Sequence, residues 1–473
     1  MEGTNARRID LAGALIRRNR LTAAAVIVAI VSLVSCSTSP AEDPPADEST
    51  TTLPESPTTT AISTTTGPPP SSTTAPEPGP GAEGWTLLPS LGDDTYTDFP
   101  IRAVATWPDG LMAAGVAVTD QSGDAAEAQP LVWTSADGTE WTQANLGTRP
   151  GEVNDIVWGN DTLIAVGGSG NDAAAWLSAD GFEWDQVILP SPERTFARMK
   201  SVVAVGEGFY AAGFESSWPD TVDWEETDFD ATVWFSTDGL EWERIEHPVF
   251  DERGFQEWAD GGYSEIIGAA ATEWGLVFAG SSSEPGTGYP HNTTVWVLRD
   301  GWGRVNLGTD DQIRGVSEAE GVAVVYGSSE ASPSADAVFY VSSDGYNWRL
   351  AGGHLTGIGA HDGLQFVNDV VYVPGEGWLA VGTDEKDFST IGGAAVWTAP
   401  PGLPLEWTRL AHDAGVFGDL TQNPLETMLG ANVWEESVIV VGGQARNVDL
   451  GEDGSMCCEY VPSIWVREGV GRR

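Results

Sequence analysis

Four aspartates occupy the same seven-residue frame: Ser135-Ala136-Asp137-Gly138-Thr139-Glu140-Trp141, Ser178-Ala179-Asp180-Gly181-Phe182-Glu183-Trp184, Ser236-Thr237-Asp238-Gly239-Leu240-Glu241-Trp242 and Ser342-Ser343-Asp344-Gly345-Tyr346-Asn347-Trp348. Carboxylates serve acid–base chemistry or cation binding when a fold converges several of them on one point. The frame itself suggests another use. Its Asp and Ser side chains are placed to accept hydrogen bonds from their own turn, Gly permits a positive φ, and Trp packs back onto its sheet. Asp137, Asp180, Asp238 and Asp344 are therefore expected to be turn formers.

The basic residues suggest a different chemistry because they are scarce. There are 22 Lys and Arg against 70 Asp and Glu, a formal charge of −48, and the only lysines are Lys200 and Lys386. Such a balance argues against nucleic acid, whose phosphates need Lys/Arg clusters. Thirteen residues before Gly115, Gly213 and Gly327 stand Arg102, Lys200 and Arg314. The equivalent positions of two further units hold Asn154 and, allowing one inserted residue, Asn368. These positions are expected to open an innermost strand near the mouth of a central channel. Cations repeated there suit an anion or carboxylate. The competing reading is that strand starts are solvated and acidic neighbours take up the charge.

All five histidines fall in long loops: His247, His291, His354, His361 and His412. His247 and His412 close matching segments, Trp242-Glu243-Arg244-Ile245-Glu246-His247 and Trp407-Thr408-Arg409-Leu410-Ala411-His412, which read as a repeated loop-packing device. A metal site needs three or more converging ligands. The acidic stretches 223–230 and 449–459 offer oxygens that Ca²⁺ takes, but neither matches a full calcium-loop pattern. No metal or other cofactor is expected. Cys457 and Cys458 are adjacent, so they form a vicinal disulfide or two thiols, without the spacing of a redox or zinc motif.

A repeat must position these residues. Units one to six each offer four short β-rich runs bounded by Gly, Asp, Asn and Pro, such as 101–106, 111–116, 131–134 and 141–146 in the first and 153–158, 163–167, 174–177 and 184–189 in the second. An aromatic marks the third run of each unit: Trp133, Trp176, Trp234, Trp296, Tyr340, Trp397 and Trp465. The seventh unit lacks a fourth run, and Gly84-Trp85-Thr86-Leu87-Leu88 at the other end reads like one. Such an overlap would close a ring and remove the open sheet edge. The prediction is all-β: a seven-bladed β-propeller of four-stranded antiparallel blades over residues 84–473, closed by an N-terminal outer strand. Naming the strands of each blade A to D from the axis outward, the A–B and C–D turns share one face. The long B–C and D–A loops share the other, where function concentrates.

Residues 1–35 read as a signal peptide, with basic Arg7, Arg8, Arg17, Arg18 and Arg20 ahead of an apolar run over 21–34. Leu33-Val34-Ser35-Cys36 resembles the bacterial lipobox, which implies that Cys36 is acylated and anchors the chain in the membrane, on the extracytoplasmic face of a bacterial cell envelope. A plain secretory signal is the other reading. Residues 36–83 are Ser/Thr/Pro-rich and are expected to be a disordered tether reaching on the order of 100 Å.

The repeated frame resembles the Asp-box of bacterial neuraminidase-repeat propellers, one residue shorter than the commonest form. A degenerate copy stands at Asp300-Gly301-Trp302, and none precedes Trp407. In that family the box is structural and lies away from ligand sites. Sialidases also use an arginine triad, a Tyr–Glu nucleophile pair, an Asp acid/base and a Phe-Arg-Ile-Pro start. Here Phe99-Pro100-Ile101-Arg102 scrambles that start, and two arginines and a lysine occupy the ring. Two functions are therefore carried forward. One is a tethered propeller that binds an extracellular protein, peptide or glycan through its long loops. The other is a sialidase-like glycoside hydrolase that holds a carboxylate substrate on the basic ring.

Overall fold

The computed structural model describes residues 83–470, apart from 90, 92–100, 118–127, 194, 218–227, 251–262, 284–291, 330–334, 352–363, 386–391, 412–413, 419–425 and 451–455; for 228, 414, 446–450 and 456–459 it describes the backbone alone. Cys36, His291, His354, His361 and His412 lie outside the described residues, as do the side chains of Cys457 and Cys458.

The described residues form seven four-stranded antiparallel sheets. The innermost A strands are Ile101–Trp107, Glu152–Gly159, Thr195–Val205, Ser264–Thr272, Gln312–Ala319, Leu364–Val373 and Glu426–Trp434. Each touches the next, and the seventh touches the first. The seven-bladed propeller expected from the repeat is borne out. Its closure is too: Trp85–Leu87 pairs with Met456–Glu468 as the outer strand of blade seven, Leu87 lying opposite Trp465. The seven third-strand aromatics are all buried. Apolar side chains on both faces of the strands fill the seven interfaces between blades, for example Trp107, Met112, Val153 and Trp176 between blades one and two. Apolar area removed from water at seven such seams is the main stabilising term.

One irregularity recurs in every blade. The A–B register slips by one residue, leaving a bulged residue on strand A: Arg102, Asn154, Lys200, Ile267, Arg314, Asn368 and Leu429 in turn. A bulge bends its strand and swings a carbonyl toward its partner. Opposite it strand B carries glycine. A Cβ at Gly213 would lie 1.9 Å from the Arg198 carbonyl oxygen, and Gly167, Gly280, Gly327, Gly382 and Gly442 face equivalent carbonyls at 1.8–2.0 Å.

The Ser, Asp, Gly and Trp of each seven-residue frame, a tetrad, repeat one set of bonds in all four copies. Ser178 Oγ accepts from the Gly181 amide (2.9 Å), Asp180 Oδ1 from the amides of Phe182 (2.9 Å) and Glu183 (3.0 Å), and Trp184 Nε1 donates to the Gly181 carbonyl (3.3 Å). The turns around Asp137, Asp238 and Asp344 do the same. The amides, joined at Asp344 by the Asn347 side chain, hold these carboxyls below the usual range, Asp344 at about 2. Each tetrad also leans on the preceding blade: a Cβ at Gly239, where φ is 78°, would meet Ile164 Cδ1 of blade two at 2.4 Å. Replacing Asp180 by alanine leaves two turn amides to water and should lower the denaturant midpoint of unfolding, with Asp180→Asn closer to wild type.

Candidate functional site: the inner ring

The seven bulged residues form one ring on the innermost strands. It reads Arg102, Asn154, Lys200, Ile267, Arg314, Asn368, Leu429, so the five residues picked out by glycine spacing share it with two apolar ones. Their expected place at the opening of strand A needs correction for two of them. Lys200 is the sixth residue of Thr195–Val205, and Asn368 the fifth of Leu364–Val373, because those strands begin further out. What the five share is the bulge.

The asparagines are committed to structure: Asn154 Nδ2 donates to the Met199 carbonyl (2.9 Å) and Asn368 Nδ2 to the Met428 carbonyl (2.8 Å). Arg102 donates to Asn154 Oδ1 (3.2 Å) and lies 3.6 Å from Glu152. Glu152 also takes Arg198 at 2.7 Å. Burial pushes the Glu152 carboxyl up, but Lys200, Arg198 and Arg102 together hold it below its ordinary value. Arg198 is a member that the sequence reading missed. It is buried, and it donates further to the Gly170 and Ala197 carbonyls.

Lys200 and Arg314 differ from these. Both are half-buried, and neither makes a hydrogen bond or ion pair among the described residues. Carboxylates act on them only at longer range, Glu152 and Glu265 on Lys200, Glu265 and Glu385 on Arg314. Burial lowers the pKa of each, most tellingly of the lysine. The ring therefore sets four cations (Arg102, Arg198, Lys200 and Arg314) against three carboxylates, within a strongly acidic molecule.

One residue beyond the bulge lies a second polar layer. Asp155 Oδ2 accepts from Ser201 Oγ (2.9 Å) and the Val202 amide (2.8 Å) of blade three, and Oδ1 from the Ile156 amide (2.8 Å). Asp369 Oδ1 accepts from Tyr326 of blade five (2.9 Å) and the Val370 amide (2.7 Å), while Oδ2 takes the Ala431 amide of blade seven (2.7 Å). Gly315 lets the tyrosine through, since a Cβ there would lie 2.3 Å from its hydroxyl. Burial raises both carboxyls to about 6. The sequence carried a signal for them: Val153-Asn154-Asp155-Ile156-Val157 and Val367-Asn368-Asp369-Val370-Val371 are one pattern used twice.

The remaining candidates are dispersed. His247 is exposed, and its Nδ1 accepts from the Val249 amide at 3.2 Å beside Phe250 and Trp302. Tyr326 next to the ring pairs with an aspartate. The bond between Tyr372 and Glu320 lies about 13 Å further along strand A from Asn368, toward the A–B turn, at 3.3 Å per residue. No group of His, Cys, Asp and Glu that would hold a metal ion occurs among the described residues. No helix among them is long and apolar enough to cross a membrane.

No family model matches the chain, and no curated protein matches it. Among solved structures it is similar to a phage phi92 endosialidase, 9% identical over 81% of this chain and 68% of that one, with a TM-score of 0.46. It is also similar to a Trypanosoma rangeli sialidase in complex with sialic acid, 13% identical over 77% and 60%, TM-score 0.41, and to Bombyx mori GH32 beta-fructofuranosidase BmSUC1, 11% identical over 65% and 58%, TM-score 0.34. The chain thus spans three fifths or less of the last two. Likeness at these scores bears no weight on function.

Proposed function

We propose that this chain is a membrane-anchored extracytoplasmic binding propeller, and that its inner ring takes an anionic group of a protein, peptide or glycan partner. The observation that carries the reading is the pair Lys200 and Arg314, two half-buried cations that make no hydrogen bond or ion pair among the described residues. Lys200 Nζ lies 5.7 Å from the centre of the Phe214 ring, but a partly desolvated cation without an ion pair is still costly, and a bound carboxylate would offset that cost with charge-assisted hydrogen bonds. A formal charge of −48 repels anions at long range, so the ligand should be compact. At physiological salt the repulsion is screened beyond about 8 Å. Ile267 and Leu429 in the same ring suit an acid that carries an apolar substituent. Nothing among the described residues favours hydrolysis.

The test is titration calorimetry on the intact chain with N-acetylneuraminate, a hexuronate and their neutral counterparts. The acids should bind and the neutral sugars should not. Lys200→Ala and Arg314→Ala should each weaken binding about tenfold, roughly 1.4 kcal/mol, without a change in melting temperature. Equal binding of a neutral sugar, or variants that bind like wild type, would overturn the reading.

A further inference from the structure

A groove opens on the side wall between blades two and three, with a volume of about 460 Å³. Val187, Leu189, Pro190, Leu240, Trp242 and Arg244 are among the residues that line it. At other seams the chain leaving strand D fills this position. Leu146 packs with Trp184 between blades one and two, where the Asn145 amide also bonds to the Phe182 carbonyl (2.9 Å). Phe250 lies 4.7 Å from Trp302 between blades three and four, and Phe417 5.9 Å from Trp85 between six and seven, ring centre to ring centre. In blade two the exit is diverted. The Ser191 amide bonds to Asp172 Oδ1 (2.8 Å) and its hydroxyl to the Asn171 carbonyl, which draws Pro190-Ser191-Pro192 back onto its own blade. Leu240 is 55% exposed, as its counterparts Phe182 (49%) and Tyr346 (45%) are, so what sets this seam apart is the diverted exit beside it.

The groove adjoins an edge. Strand D of blade two, Asp185–Leu189, has five residues, pairs only with Asp172–Ser178, and has no strand on its outer side among the described residues. Four other outer strands have two residues. Blade four's Trp302–Asn306 is as long, but there Tyr346, the counterpart of Leu240, lies over the strand: a Cβ at Gly303 would meet its ring at 3.3 Å. A long edge with unpaired backbone groups beside apolar pockets is the arrangement that accepts an added strand.

Charge narrows the occupant. The one cation in the groove, Arg244, is already held by Glu215 at 2.8 Å and by Glu246. Glu246 lines the groove and is exposed, and Asp185 at the start of the edge strand and Glu241 and Glu243 on either side of Trp242 are exposed as well. A second copy would bring the same acids to the same place, and residues 37–83 of this chain contain acids and no Lys or Arg. We propose that blade two receives an extended segment of a partner protein as a fifth strand, a segment that alternates apolar residues, seated over Leu240 and Trp242, with basic residues that meet the acidic rim. This site is separate from the inner ring and has the opposite charge preference.

The test uses the intact chain at 0.15 M salt and fluorescence anisotropy of labelled octapeptides. An alternating Lys-Val peptide should bind saturably and at least tenfold more tightly than an alternating Glu-Val peptide. Methylation of alternate backbone amides should abolish binding, which separates strand addition from attraction to an acidic surface. Leu240→Arg and Glu246→Lys should each weaken binding tenfold or more, with melting temperature and binding of acids at the inner ring unchanged. Lys200→Ala and Arg314→Ala should leave peptide binding intact, so the two sites stand or fall separately. Equal binding of the Glu-Val or methylated peptide, indifference to both groove variants, or displacement of the peptide by a neutral oligosaccharide would overturn the proposal.

Discussion

Gly213→Ala should be among the most destabilising single substitutions in this protein, costing about 4 kcal/mol or more and lowering the yield of folded chain. The methyl group would sit 1.9 Å from the Arg198 carbonyl oxygen and 2.9 Å from its carbon, and both are backbone atoms of a neighbouring strand. No rotamer change relieves such a contact. Either the bulge at Lys200 is ironed out, or strands A and B part. Ironing out the bulge shifts the register of strand A by one residue and turns Met199, fully buried in the blade two–three seam, away from its core. The control lies in the same blade: a Cβ at Gly206 meets nothing within 4 Å, so Gly206→Ala should change stability by less than about 1 kcal/mol. Urea unfolding of the three proteins checks the pair. Comparable stabilities for Gly213→Ala and Gly206→Ala would show that the bulge is not rigid.

Thermal stability should fall as pH rises from about 4 to 7, the reverse of ordinary acid denaturation. Asp155 and Asp369 start near 3.8 in the unfolded chain and are raised to about 6 in the fold, and Glu426 moves from 4.5 to about 7, in each case through burial. A raised pKa means that the native state binds the proton more tightly. The stability it adds is fully present below the unfolded value and is lost as pH rises through the folded one. A rise from 3.8 to about 6 corresponds to about 3 kcal/mol for each of Asp155 and Asp369 as an upper figure, since the two interact and titrate together. The tetrad carboxyls and Glu152 shift downward and act oppositely, with stability lost as pH falls below about 4. The maximum should therefore lie near pH 4–5, and calorimetry should find a melting temperature several degrees higher at pH 5 than at pH 7.5. Relief of repulsion in an acidic chain works in the same direction. High salt separates the two: at 1 M the Debye length is about 3 Å, which removes the surface contribution and leaves the buried one. Asp369→Asn should flatten the slope and lower stability, because its amide oxygen can still accept from Tyr326 and Val370 but its NH2 group, in place of Oδ2, cannot accept from the Ala431 amide. A melting temperature that rises steadily toward pH 7.5 would contradict this account.

The features legible in the residues are those with a local cause. A tetrad forms its bonds within a few residues, so Ser178, Asp180, Gly181 and Trp184 reveal their turn without any partner. The seven third-strand aromatics give the blade number, because each blade must fill the same seam. Trp85 announces the closing strand because the seventh unit is one strand short. Even the ring was partly visible. The bulge demands glycine opposite, so counting back from Gly115, Gly213 and Gly327 led to Arg102, Lys200 and Arg314.

The same count passed over Ile267 and Leu429, since position in a ring does not depend on charge. It also could not assign partners. Glu152 lies 46 residues from Arg198, and Tyr326 lies 43 from Asp369. Those separations are one blade, and which side chain of one blade meets which of the next is set by strand offset and bulge geometry rather than by spacing. The groove beside blade two is of the same kind. It exists because Ser191 bonds backward to Asp172, a choice made in three dimensions. The sequence alone determined the architecture, because turns, strand period and seam-filling aromatics act over short range and repeat. Only the tertiary structure decided which cations are neutralised and which are left without an ion pair among the described residues, because electrostatic partners here are drawn from neighbouring blades and are fixed by how the sheets pack.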